Sequence, residues 1–530
     1  MKLCDQYLKD MVEVNPTMND LYEFSGYERL KGIMINPYTD DYKQRELEIL
    51  KKYKKILSKK KKKSYSEEYF YREIRDLIGW YSQDSEYLVL DALNNFPLDL
   101  VSELSGEGPY RFTDKKSYET YMMRLQIVPS ITESVIDKLR IGIKKKYVLP
   151  KIVVKNLIQQ YKDYLKKPLN KIELKEYKCS IENFINNSVK KILLFLEDEY
   201  LKSAKKEIGI YSEPYGKQSY TDTLRSFTLE DITCKQVHDL GLKEVKRIYD
   251  ELQRHFKDYN VSSLNGLYNK VGQDSKDPHK DIVDIQKRIN DKIMPKYFGK
   301  SLTKDEMPDL KKISSENKLH FAYYISKNFK RNSKTRGAYY INLNNNLKKN
   351  ELLSLTLHES FPGHHYERRT NINERDTPIY MKAGDFTGYV EGWALYCESL
   401  TDIHTKEEYI FRLKYEMHRA VRLVVDTAIH YFEWSYERCF KYMKKYLLFD
   451  DNYTHNELIR YICDPGQALA YKVGELTILK LREIFIPASN KKVIGFDLFS
   501  ASNNYKQTLT NNNLQLDEYL CFLSLKTYRG

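Results

Sequence analysis

Glycine and proline are scarce. The chain of 530 residues has only 21 and 15 of them, and so few turn-makers point to long helices rather than many short strands. Cysteine is scarcer still: seven, at positions 4, 179, 234, 397, 439, 463 and 521, none in C-x-x-C spacing. An odd number at this density excludes a disulfide scaffold and reads as reduced, buried thiols. Long apolar runs are missing too. No window approaches the ~18 uninterrupted apolar residues of a membrane-crossing helix. The start, MKLCDQYLKDMVEV, is broken by Asp5, Lys9, Asp10 and Glu13, so no signal peptide is expected. The end, KTYRG, carries no lipidation motif. A cytoplasmic protein with no membrane partner is the expectation.

What is present suits a large globular chain. At 41% hydrophobic and 31% charged residues, collagen-like, elastic and disordered classes are excluded. The net charge is +14, which invites an anionic partner. The lysines are dispersed, however, and together with Asn, Ile and 46 Tyr they read as a coding bias. With no nucleic-acid motif in sight, no specific nucleic-acid partner is expected. The oligomeric state is not readable.

Apolar residues recur at three and four through most of the chain, the helical period. The first ~65 residues read as helical and end in the run Lys59 to Lys63, a solvated linker. Residues 66–105 read as two helices, 104–112 as a loop, and 115–205 as strongly helical. Residues 210–228 read as a loop, and 233–256 as a helix pair broken near Gly241. LHFAYYIS and GAYYINLN, within 319–344, are β-prone runs around a polar turn. The second is either an exposed edge for a peptide backbone or a plain hairpin strand. An Asn-rich stretch (486–515) and a short terminal helix close the chain. The fold class is mainly α: a large multi-helix, zincin-like cleft fold with a small β-hairpin or sheet before the metal-binding helix. A helical region (1–205) and a catalytic region (206–530) would form one integrated fold.

The sharpest string is LTLHESFPGHHYE, 355–367. His358 and Glu359 open an H-E-x-x-H motif, in which two His one turn apart bind Zn²⁺ and the Glu takes a proton from water. Position 362 is Pro, and the next histidines are His364 and His365. On a straight helix His364 lies on the wrong side, and His365 lies about 10.5 Å along the axis. Pro362 removes an N–H and Gly363 is flexible. A bulge of two extra residues would convert the spacing to an effective i+4 and make His364 the second ligand. Glu391, 27 residues after His364 in TGYVEGWALYCESL, is available as third ligand. Glu398 shares its helical face and either orients a ligand His or forms an ordinary salt bridge. Arg422, Asp426 and His430 share another face. They read either as substrate-handling groups, with Arg422 holding a carboxylate and His430 aiding an oxyanion, or as one buried network.

HESFPGHH followed by EGWALYCE resembles the signature of the domain of unknown function 885 family, which is similar to helical glutamate-type zinc peptidases. Ordered blocks carry the resemblance further: 121–160, YGKQSYTDTLRSFT, VHDLGLKEVKRI, 418–434 and 464–483. Ala428 stands where the pattern has Gly, and Tyr366-Glu367 where it has an apolar residue and Gln. Related helical peptidases carry His-Glu-x-Gly-His, so the resemblance implies His358, His364 and Glu391 as ligands of one Zn²⁺ per chain, with His365 as the alternative to His364. It implies Glu359 as general base and Tyr471, in PGQALAYKVG, as the oxyanion group, beside Arg422 and His430. The expected function is a zinc metallopeptidase acting on short peptides. The alternative is a catalytically inactive, peptidase-like binding scaffold.

Overall fold

A computed structural model describes residues 2–485 apart from 62, 83–84, 105–109, 111, 113, 167–174, 314–321, 327–335, 343–346, 375–376 and 385. The Asn-rich stretch and terminal helix read from the sequence lie outside these residues, as does most of the loop at 104–112. The protein is mainly helical, with one three-stranded sheet. No helix among the described residues is long and apolar enough to cross a membrane.

The long helix Lys406–His430 is the spine. Thr405 caps it, accepting from the Glu408 N–H while the Glu408 side chain accepts from the Thr405 N–H. From Glu416 to His430 every residue is buried, so it is a core helix rather than an amphipathic surface one. Cys234–Arg254 packs along it with Val237, Gly241, Val245, Ile248 and Leu252 inward. The expected break near Gly241 is absent, because the glycine serves the crossing. A Cβ there would lie 2.7 Å from that of Leu423, so the missing side chain lets the helices close. The loop expected at 210–228 is also corrected. Gly216–Thr228 is a helix that buries Tyr220, Leu224 and Thr228, four residues apart.

Strand β1 (Asp309–Lys312) runs parallel to β3 (Ala338–Ile341), and β2 (Ala322–Ile325) runs antiparallel to β3 on its other side. The segment GAYYINLN therefore supplies the central strand, paired on both sides. The edge reading of it is overturned, and the edges belong to β1 and β2.

Two large apolar cores draw on chain from either side of residue 205. One joins residues from Leu90 to Ala468, the other from Cys4 to Leu481. The second core holds the helix Leu352–Glu359, entirely buried, and the helix Thr387–Glu398 packed beside it.

Candidate metal centre

The helix Leu352–Glu359 ends where the motif departs from H-E-x-x-H. Residues 360–363 form a turn, and a second helix, His364–Asn373, starts afresh. The extra residues thus split the helix in two rather than bulging one helix. The turn is held on both sides. Gln286 Nε2 donates to Ser360 Oγ at 3.1 Å, and Trp393 Nε1 donates to the Pro362 carbonyl at 2.9 Å. The His365 N–H closes the turn onto the Ser360 carbonyl at 3.0 Å. The Phe361–Pro362 peptide is cis. At Gly363 a Cβ would lie 2.0 Å from the His358 carbonyl oxygen, so only glycine lets the chain fold back this closely.

This turn brings the two imidazoles together. Their ring centroids are 4.7 Å apart with planes at 85°. The helix Thr387–Glu398 brings Glu391 between them: its Oε2 lies 3.3 Å from His358 Nε2 and 3.6 Å from His364 Nε2. The ligand atoms of the three residues all lie within 4.8 Å of one another. Ligands of a tetrahedral zinc at ~2.0–2.1 Å stand about 3.4 Å apart, so the spacing suits one ion. Glu391 Oε2 is buried and makes no hydrogen bond, as expected of an atom whose partner is a cation.

Around this trio the charges are arranged in a graded way. Glu398 Oε1 accepts from His358 Nδ1 at 2.8 Å, and Arg419 Nη2 approaches the same oxygen at 3.6 Å. Three carboxylates, Glu359, Glu391 and Glu398, thus face one guanidinium. Burial opposes a charge on His358, but Glu391 and Glu398 outweigh it and lift the imidazole to about 10. Burial would raise Glu391, yet the imidazoles of His364 and His358 hold its carboxyl well below the usual range. Burial pushes Glu359 up, with His358 and His364 offsetting only part of it. Excess negative charge gathered away from water favours a divalent cation, which would displace the His358 proton. The side chains of His364 and Glu391 are 12% and 19% exposed while Glu398 is only 2% exposed, so the trio is reachable from one side.

Other sequence candidates fall elsewhere. His365 turns away: its Nδ1 meets the Tyr324 hydroxyl at 3.2 Å and its Nε2 the Glu306 carbonyl at 2.7 Å. His430 spends both nitrogens on backbone, taking the Ile210 N–H at 3.2 Å and facing the Tyr461 carbonyl at 2.7 Å. It is fully buried, and a role at an oxyanion is withdrawn. Arg422 is buried, its Nη2 3.2 Å from Glu457 Oε2 and its Nε 3.2 Å from the Tyr461 hydroxyl. Asp426 accepts from the Tyr220 hydroxyl at 2.6 Å and from the Gly466 N–H. No hydrogen bond joins the three directly, but partners link them: Arg422 and His430 both meet Tyr461, and Tyr220 bonds Asp426 while its ring packs on His430. Tyr471 lies one turn before Gly474 on the helix Ala470–Phe485, its hydroxyl accepting from Arg460 Nη2 at 3.2 Å. That helix crosses Glu391's helix with backbone nearly touching: a Cβ on Gly392 would lie 2.5 Å from the Gly474 carbonyl carbon. Sequence reading overlooked Arg419, Gln286 and Trp393. Arg419 and Trp393 stand inside the strings 418–434 and EGWALYCE, which gave neither a role, and Gln286 left no trace.

A mainly helical fold with a His-His-Glu group, His358 buried and His364 and Glu391 half-buried, and Glu359 beside it, is the class that fold and site define. The chain belongs to the family described as bacterial protein of unknown function, DUF885, whose model matches residues 26–492. No curated protein matches it. Among the solved structures that share its fold are two "putative lipoproteins". One, from Colwellia psychrerythraea and described as a "putative lipoprotein", has a TM-score of 0.80 at 21% identity, covering 98% of this chain and 97% of that one. The other, from Shewanella oneidensis and described as a "putative lipoprotein of unknown function", has a TM-score of 0.65 at 14% identity, with 98% of each chain covered.

Proposed function

We propose that the protein is a zinc-dependent metallopeptidase of zincin-like arrangement that hydrolyses short peptides. The observation that carries this is the convergence of His358, His364 and Glu391 on one point, with Glu359 next to the first ligand. Glu398 orients His358 through its far nitrogen, as the partners of metal-binding histidines do. Bound zinc supplies Lewis acidity and lowers the pKa of water. Glu359 is the general base: it takes the proton of the attacking water and returns it to the leaving amine. Its carboxyl, raised by burial, suits both halves of that transfer. The Tyr471 hydroxyl, held by Arg460, donates to the oxyanion that forms.

The test is metal content by mass spectrometry beside peptide turnover with and without chelator. About one zinc per chain, lost in His358→Ala, is expected. Glu359→Gln is expected to keep the metal and lose turnover by about 10²–10⁴-fold. Wild-type hydrolysis in that variant sinks the assignment of Glu359. Stoichiometric zinc with no hydrolysis of any peptide in a library favours the inactive scaffold.

A further inference from the structure

Beyond the metal trio, the long helix leads into a second polar cluster. Arg419 touches Glu398, and Arg422 lies one turn further along, about 4.5 Å of axial rise. There the helix meets Asp451–Cys463, which carries Glu457 and Arg460, and the ring of Tyr471, 4.7 Å below the Arg422 guanidinium. Among the described residues, the three guanidiniums of the cluster face one ion-paired carboxylate, Glu457, with Asp464 acting on Arg460 from further off.

That carboxylate is already engaged. Glu457 Oε2 accepts from the Tyr461 hydroxyl at 2.6 Å and from Arg422 at 3.2 Å, with His418 Nε2 at 3.1 Å. Burial and the neighbouring Arg422 keep His418 neutral, its imidazole pushed down to about 3. Arg419 shares Glu398 with His358, and its Nε is buried without a hydrogen-bond partner. Arg460 is different. Its nearest ion-pair contact is Glu457 Oε1 at 3.7 Å, too long for a hydrogen bond. Its Nη2 bonds only neutral oxygens, Gln467 Oε1 at 2.9 Å and the Tyr471 hydroxyl at 3.2 Å. The field of Asp464 reaches it without an ion pair. Its side chain is 28% exposed, against 6% for Arg422. A partly exposed guanidinium bonded only to neutral oxygens, its one ion-pair partner among the described residues 3.7 Å away, is arranged to receive an anion.

We infer that this site takes its peptide by the free C-terminal carboxylate, with Arg460 as the recognising group and Tyr471, whose ring packs on Arg422, holding it in place. The inference rests on the metallopeptidase reading and deepens it. An extended peptide advances ~3.3 Å per residue. Arg460 contacts Tyr471, one turn from Gly474, and Gly474 packs on Gly392 next to Glu391; with the carboxylate held there, the bond cut is one near the C-terminus, and the enzyme trims C-termini. An internal cut in a long chain has no carboxylate to offer there.

The test separates recognition from turnover. Zinc-loaded Glu359→Gln protein is titrated calorimetrically with an N-acetylated tripeptide acid and with its C-terminal amide. The acid is expected to bind at least about 10-fold more tightly, the lower end of a charge-assisted contact. Arg460→Ala in the same background is expected to abolish that preference, and Arg460→Lys to restore part of it. Thermal unfolding of each variant checks that it is folded, and the lysine variant carries the test where the alanine variant is not. Equal affinity for acid and amide overturns the inference. So does a preference that survives loss of the guanidinium, or failure of both peptides to bind at millimolar concentration. Acid preference without wild-type turnover sinks the peptidase reading but leaves the carboxylate pocket. Turnover of acid and amide alike, with no binding preference, does the reverse.

Discussion

Glu398 decides which nitrogen of His358 faces the trio. By accepting from Nδ1 it leaves Nε2 as the lone pair in the neutral ring. Replacing it frees the ring to turn and to change tautomer. Glu398→Ala is expected to weaken zinc binding by about 10–100-fold, read by competition with a chelating dye while secondary structure is unchanged. Asp426 offers a pH test remote from the trio. Burial lifts its carboxyl to about 8, above the range of an unfolded chain. The folded protein therefore binds a proton that the unfolded chain has released. The stabilisation linked to that proton is complete below pH ~4 and is lost as pH rises through about 8. Asp426→Asn is expected to flatten the fall in stability between those limits, measured by denaturant unfolding at a series of pH values. An unchanged slope would show that Asp426 ionises normally.

Among elements, the contact of Gly392 with Gly474 sets how closely Glu391's helix approaches the helix of Tyr471. A methyl group there meets backbone, which cannot swing aside as a side chain does. Gly392→Ala is expected to cost about 1–3 kcal/mol, seen as a lower denaturant midpoint at unchanged slope, and to lower zinc affinity with it. The sequence showed the helices through their period, and the trio through the letters around His358 and Glu391. It hid what depends on distant pairing. β1 reads Asp-Leu-Lys-Lys, with two residues exposed and no alternation, and is a strand only because β3 lies beside it. The helix at 216–228 was masked by its polar residues, although Tyr220, Leu224 and Thr228 keep the period. Gly241 looked like a breaker because composition carries no information about the neighbour it admits. His430 looked chemical until its backbone partners were known, and Arg460 looked ordinary until its bonding to neutral oxygens appeared.

Over the whole molecule, the trio ties together parts of the second core. An ion that binds only the assembled site stabilises the fold by mass action. At a free concentration 100 times its dissociation constant, zinc is expected to add about 2.7 kcal/mol, visible as a rise in Tm that a chelator reverses and that His358→Ala lacks.

The make-up of that core also sets an order of events on the ribosome. The helix Leu3–Val14 packs Tyr7 on Tyr53 and Phe70, close in the chain, but also on Tyr380, so part of its apolar face emerges about 370 residues before a partner it covers. At ~5–20 residues per second, that part waits roughly 20 seconds to a little over a minute. Glu391's helix meets Gly474's helix only about 80 residues after it is made. On the proposed reading, the trio is expected to hold zinc tightly only once the helix Ala470–Phe485 has been made.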